Sequence, residues 1–235
     1  MNSMLLGFSG KIASGKSTVA RTVAHQLYGD NVAIISFADA LKNELDNVIT
    51  MLYHGDIHGV HSMINNIDTN NNDDVHYRVD AFIDEYLNDI THGIIQNSRQ
   101  RIPQVRSMLQ QWGTSIRRHQ KDSYWVNKFA DTVHTYQHNG IHVVCDDVRF
   151  VNEAETIHEL GGTLIRLEVS DEIRKHRLLL RDNNQAALHS DHPSETSLDN
   201  YNKFDIICRI VDTNATIEET TAGITTVLER GLYHE

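Results

Sequence analysis

Two prolines, two cysteines and no long apolar run in 235 residues mark what this chain has little of. So few prolines exclude a collagen-like repeat or a proline-rich spacer. Cys145 and Cys208 cannot build a disulfide scaffold or a thiolate metal cage, and they suit a reducing compartment. No run approaches the ~18 apolar residues of a membrane-spanning helix. The opening MNSMLLGFSGK lacks the basic start and apolar stretch of a secretory leader, so the expectation is cytoplasmic. Bases are scarce too: 21 Lys and Arg stand against 32 Asp and Glu, a formal net charge of −11. That surface disfavours nucleic acid polymers and anionic membranes. Taken alone it also disfavours any anionic ligand. The rest is ordinary for a globular chain, with 40% apolar and 23% charged residues.

The pattern along the chain alternates strands and helices. An apolar run at 4–8 ends in glycine and serine, and a stripe of Val19, Ala20, Val23, Ala24 and Leu27 follows until Gly29. VAIISF (32–37) reads as a strand buried on both faces. Residues 54–74, rich in Asn, Asp and His, read as loop, and the stripe from Val75 to Ile94 as a long amphipathic helix. Helices are expected over 104–118, with Trp112 in its apolar stripe, and over 123–138. Then come a strand at 141–150, a helix, a strand at 163–169, a helix capped by Ser170, a strand at 204–211 and a helix at 216–230. This order predicts an α/β fold: a mainly parallel sheet with helices on both faces, in a single domain over 1–235. His54, Asp56, His58 and His61 lie within eight residues, but the glycines and asparagines around them favour solvated loop over a metal site.

Gly10-Lys11-Ile12-Ala13-Ser14-Gly15-Lys16-Ser17 satisfies the G-x-x-x-x-G-K-[ST] pattern between a strand and a helix. Glycines let the backbone curl around an anion, and the helix N-terminus adds donors. Lys16 supplies a mobile charge for the β/γ oxygens, and the Ser17 hydroxyl is a hard ligand for Mg²⁺. Thr18 extends the motif and Lys11 adds charge to the loop.

Charged groups elsewhere fit the same chemistry. Asp146 and Asp147 end a strand, where alternation directs only one of them toward a nucleotide-bound Mg²⁺. Arg149 follows and could clamp an acceptor phosphate, or pair with Asp147 or Glu153. Arg177 and Arg181 share a helix face before a polar segment, which suits charge stabilisation during phosphoryl transfer as well as a solvated basic face beside Arg174, Lys175 and His176.

Several strings extend this: SFADALK (36–42), MLQQWGTSIRR (108–118), DSYWVNKF (122–129), DDVRFVNEAETI (146–157), GGTLIRL (161–167) and HPSETSLDNYNKFD (192–205). With the phosphate loop they resemble the bacteriophage-type deoxynucleoside monophosphate kinases of the P-loop nucleotide kinase superfamily. The 50–100 region matches poorly and reads as an insertion. The resemblance implies a three-layer P-loop kinase fold, with a helical acceptor-binding region over about 39–125 and a lid over about 177–201. It implies ATP and Mg²⁺, and transfer to a deoxynucleoside 5′-monophosphate. Gly10, Lys11, Ala13, Ser14, Gly15, Lys16, Ser17 and Thr18 would bind ATP. Lys16, Arg149, Arg177 and Arg181 would act in transfer, and Ser17, Asp146 and Asp147 would serve the metal. Asp39, Lys42, Gln110, Thr114, Arg117, Asp147, Arg149, Asn152 and Glu153 would face the acceptor. Arg117 is then the candidate phosphate ligand, with Arg118 beside it as the alternative. His192, Ser194 and Glu195 match the family's string without an assigned role. Two other readings stay open, a kinase of another phosphorylated metabolite such as phosphomevalonate and a non-catalytic ATP-binding regulator. A homodimer is open as an assembly, and a phage origin would place the chain in the host cytoplasm. Concentrating Lys16, Arg117, Arg149, Arg177 and Arg181 on one ligand reconciles mononucleotides with the acid excess.

Overall fold

A computed structural model describes residues 3–65, 72–182, 193–210 and 216–232, and the side chains of these except at 72, 73, 181, 182, 209, 210, 231 and 232. The chain runs β1 (Leu5–Ser9), α1 (Lys16–Tyr28), β2 (Val32–Ile35), α2 (Phe37–Tyr53), α3 (Ile57–Asn65), α4 (Asn72–Thr91) and α5 (Pro103–Gln110). A π-helical stretch, Gln111–Arg118, follows directly. Then come α6 (Tyr124–His138), β3 (His142–Val148), α7 (Val151–Glu159), β4 (Thr163–Val169), α8 (Asp171–Asp182), α9 (Pro193–Thr196), β5 (Ile206–Ile210) and α10 (Ile217–Leu232). No described helix is long and apolar enough to cross a membrane. The chain divides into two compact units, Met1–Phe37 with Phe129–Glu235, and Ala38–Lys128.

The first unit is built on a parallel five-stranded sheet of order β2-β3-β1-β4-β5. β1 is central and all five of its residues are buried, as Leu5, Leu6 and Phe8 require. On one face Val19, Ala20, Val23 and Ala24 of α1 pack with Leu6, Phe8, Val144, Ile165, and Ile224 and Leu228 of α10. α7 covers the other face, its Ile157 set against Gly7 and Gly162. Helices on both faces make this a three-layer α/β fold. β2 departs from expectation. It is an edge strand in which only Ile35 is buried, because a neighbour exists on one side alone. Between β1 and β3 the register shifts by one residue, from Gly7↔Cys145 to Ser9↔Val148. Asp146 and Asp147 fall in that irregular step, where strict alternation lapses.

The second unit is helical around Leu45, Val48, Leu52, Val60, Ile64, Val79, Phe82 and Trp112. It spans Ala38–Lys128. The 54–74 segment is not all loop, since α3 occupies Ile57–Asn65 and buries Val60 and Ile64. The 104–118 helix is also different in kind. It begins at Pro103, whose fixed φ suits a first helical position, but widens to π geometry from Gln111.

Candidate phosphate-binding site

The loop between β1 and α1 has the backbone of an anion cradle. Gly15 takes φ 88° and ψ 7°, a left-handed conformation costly for a side-chain-bearing residue. Ala13 takes it too, at φ 62°, the one described non-glycine residue with positive φ. Alternation of ordinary and left-handed residues turns successive N–H groups toward one point. Gly10 is required for a different reason. A Cβ there would lie 2.6 Å from Ser14 Oγ and 3.0 Å from the Leu167 carbonyl. Ser14 Oγ is buried with no hydrogen-bond partner, an arrangement that costs about 1–3 kcal/mol until a ligand or water meets it.

If the loop's N–H groups serve an anion, its carbonyls need donors of their own. α8 supplies them. Arg174 Nε donates to the Ile12 carbonyl at 2.9 Å, and Arg177 Nη1 to the carbonyls of Ala13 at 3.3 Å and Ser14 at 3.1 Å. Arg174 is buried and also pairs with Asp171 at 2.7 Å, so it belongs to no solvated face. Arg181 lies in the last turn of the same helix, and its side chain lies outside the described residues, as does His192.

Lys16 opens α1 and is buried. Burial, then the nearby Arg149 cation, pull its ammonium down to about 8 against the opposing pull of Glu195, Asp147 and Asp146. Asp146 is buried and accepts a hydrogen bond from the Ser17 hydroxyl. Its carboxyl is pushed up, chiefly by burial and then by Asp147, with Ser17, Arg21 and Lys16 opposing. Asp147 turns elsewhere: its Oδ1 accepts the Phe37 N–H at 2.8 Å. The irregular step in β3 thus separates two roles, Asp146 beside Ser17 and Asp147 at the start of α2. Ser17 and Asp146 offer two adjacent hard oxygens, a donor set that fits Mg²⁺ with phosphate and water oxygens completing its shell.

Arg149 lies at the carboxyl end of β3. Its Nη1 donates to Glu195 Oε1 at 2.6 Å, and Glu195 Oε2 accepts the Ile12 N–H at 2.9 Å. Lys11 pairs with Asp199 at 2.9 Å. Arg166 donates to Ser9 Oγ at 2.9 Å and lies over the Phe204 ring. Glu153, expected at the acceptor, is buried and accepts the N–H groups of Arg149 at 2.8 Å and Phe150 at 3.1 Å. It holds the turn that aims Arg149. Asn152 sits half-buried beside it in the first turn of α7, and Thr18 is exposed in the first turn of α1.

The expected acceptor residues Asp39, Lys42, Gln110, Thr114 and Arg117 all belong to the second unit. Asp39 and Lys42 are neighbours on α2, 3.9 Å apart. Gln110 and Thr114 are half-buried at the junction of α5 and the π stretch. Arg117 is not presented to solvent. It is 1% exposed, with Nε on Glu44, Nη1 on Gln120 at 3.1 Å and Met63 O at 3.3 Å, and the guanidinium over the rings of Trp112 and Tyr124. Glu44 also accepts from Trp112 Nε1 at 2.9 Å and from the Tyr124 hydroxyl. The sequence signal for this cluster was Glu44 itself, a carboxylate on the stripe of Leu41, Leu45 and Val48 that needs a buried cation. Arg166, Arg174 and the partners of Glu195 were missed, since each contact joins distant positions. Of the histidine-rich segment, His61 faces His76 at 3.0 Å and Asp80 at 3.0 Å, and no group of three metal-ligating residues forms among the described residues.

No protein-family profile matches the chain, and no curated protein sequence matches it at a significant level. Solved structures with a similar course include a sugar kinase from a Janibacter species, 14% identical over 97% of this chain and 95% of that one, with TM-score 0.46. A shikimate kinase from Bacteroides thetaiotaomicron is 13% identical over 96% and 98%, at 0.46. A gluconokinase from Sinorhizobium meliloti is 14% identical over 99% and 96%, at 0.44.

Proposed function

We propose that the chain transfers the terminal phosphoryl group of ATP to a deoxynucleoside 5′-monophosphate, yielding the diphosphate and ADP. One arrangement carries the reading: a strained anion-cradling loop with Lys16, the Ser17–Asp146 pair and Arg149 within one charge cluster. Ser17 and Asp146 would hold Mg²⁺, which when bound neutralises phosphate charge. Lys16 neutralises the β/γ oxygens, and Arg174 and Arg177 act through the loop by holding its carbonyls. An acceptor phosphate is largely dianionic at neutral pH, with a second pKa of about 6, so its oxygen attacks without a dedicated base. Positioning and charge are what remain to be supplied.

Arg149 is assigned to the phosphates on both sides of the transfer, the terminal one of ATP and that of the acceptor, and Arg117, whose guanidinium is committed to Glu44, is not. Asp39, Lys42, Gln110, Thr114 and Asn152 join the acceptor side through the sequence resemblance, which also supplies the deoxynucleotide. ADP release measured over dGMP, dTMP, dCMP, dAMP and phosphomevalonate tests the assignment. Turnover with at least one deoxynucleotide is expected. Turnover with phosphomevalonate alone transfers the site to another metabolite, and none with any acceptor removes the kinase reading.

A further inference from the structure

The donors that a terminal phosphate would use are already engaged by one carboxylate. Glu195, on the short helix α9, accepts the Ile12 N–H of the phosphate loop through one oxygen and the Arg149 guanidinium through the other. Its side chain is only 9% exposed. Burial pushes its carboxyl up, but Arg149 and the Ile12 N–H outweigh that and hold it below the ordinary glutamate range, so it is ionised at neutral pH. Its charge also reaches Lys16. Four residues on, Asp199 pairs with Lys11 at 2.9 Å and lies 3.8 Å from Arg166. The stretch from Pro193 to Asp199 therefore lays two carboxylates on the cations around the loop. Between Gly10, Arg149, Arg166, Ser194 and Leu198 the remaining cleft holds about 10 Å³, room for about one water and not for a phosphate group.

Carboxylate and phosphate oxygens make the same demands. Both accept charge-assisted hydrogen bonds from a guanidinium on one side and a backbone N–H on the other. We propose that Glu195 is a built-in occupant of the terminal-phosphate position, so that a nucleoside triphosphate binds by displacing the 193–199 segment. This rests on the reading of the loop as a nucleotide site and adds a competitor to it. The free protein is held closed by its own anion, and the arginine that serves transfer stays paired until the phosphate arrives.

Displacement separates this role from that of a residue which merely positions Arg149. Loss of an internal competitor tightens ligand binding, whereas loss of a positioning group weakens it. Full-length protein carrying Glu195→Gln, and separately Glu195→Ala, would be titrated with a fluorescent ATP analogue and with ADP, both with Mg²⁺. Both variants are expected to bind the triphosphate about tenfold more tightly than wild type, the scale of one charge-assisted hydrogen bond, with a smaller change for ADP. Unchanged or weaker triphosphate binding by the variants, with wild type binding normally, overturns the proposal and leaves the nucleotide site standing. Binding by neither wild type nor variants overturns both. Hydrogen exchange on the wild-type protein needs no variant to fold. Saturating triphosphate is expected to speed exchange of the 194–199 amides, and slower or equal exchange overturns the displacement.

Discussion

Arg117 and Glu44 form an ion pair in which neither partner meets solvent, their side chains being 1% and 8% exposed. Trp112, Gln120 and Tyr124 complete it, so the pair joins α2, the π stretch and α6 inside the second unit. Removing one member strands the other's charge in an apolar surround, which costs about 3–5 kcal/mol. Glu44→Ala is expected to lower stability on that scale, read from urea unfolding followed by fluorescence. Replacing both, as Glu44→Leu with Arg117→Met, is expected to recover much of the loss. If the double variant is as unstable as the sum of the single changes, the two charges do not depend on each other.

Lys16 sits in surroundings that disfavour its charge, mainly through burial. Its free-state value of about 8 lies below the ordinary 10.5 of an unfolded lysine. The cost to folding is therefore complete below pH 8 and fades as pH rises from about 8 to 10.5, so this group makes the fold relatively more stable with rising pH. Lys16→Met is expected to raise the melting temperature at pH 7 while abolishing phosphoryl transfer. A lowered melting temperature would show that the nearby carboxylates need the ammonium more than burial opposes it.

Anion binding should return the missing proton. At pH 8.5 the free protein holds Lys16 mostly neutral, and a triphosphate beside it restores the charged form. Calorimetry in buffers of different ionisation enthalpy is expected to show proton uptake on ATP binding at pH 8.5 and little of it from Lys16 at pH 6.5. Equal proton exchange at the two values would contradict the placement of Lys16 against phosphate.

Arg174 and Arg177 act on the phosphate loop from its carbonyl side. Arg174→Met is expected to weaken ATP binding about tenfold, the equivalent of one or two hydrogen bonds to charged groups, with transfer from bound ATP changed less. Arg149→Ala is expected to reverse that pattern. Acceptor-dependent turnover should fall about a hundredfold or more while ATP affinity changes little, as for an arginine that meets charge developing in transfer. Steady-state kinetics beside equilibrium titration separates the two.

The legible parts of this fold were those written in local pattern. β1, β3 and β4 showed as apolar runs, α1 as a stripe stopped by Gly29, and α8 by its Ser170 cap. The loop from Gly10 to Ser17 was legible to the residue because its chemistry needs those residues in that order. α3 was hidden because its buried positions, Val60 and Ile64, are spread among Gly59, histidines and asparagines, so packing rather than propensity makes it a helix. The π stretch was hidden because the stripe through Met108, Trp112 and Ile116 fits either helical period over two turns. Alternation directed only one of Asp146 and Asp147 toward the loop, but that Asp146 is the one beside Ser17 is seen only in the folded chain. Glu195 stood in a noted string, yet its partners Ile12 and Arg149 are 183 and 46 positions away.

The pairing of Lys11 with Asp199 has a kinetic consequence. A triphosphate approaching this protein meets a chain of net charge −11 whose cations around the loop are already partnered by Glu195 and Asp199. Long-range attraction is spent inside the molecule, and what extends into solvent repels. Added salt should then quicken ATP association rather than slow it, since screening acts on the repulsion across a Debye length of about 8–10 Å. Encounter in this protein would be governed by how well the solvent hides its surface, and selectivity by what happens once the ligand is within reach of Lys16.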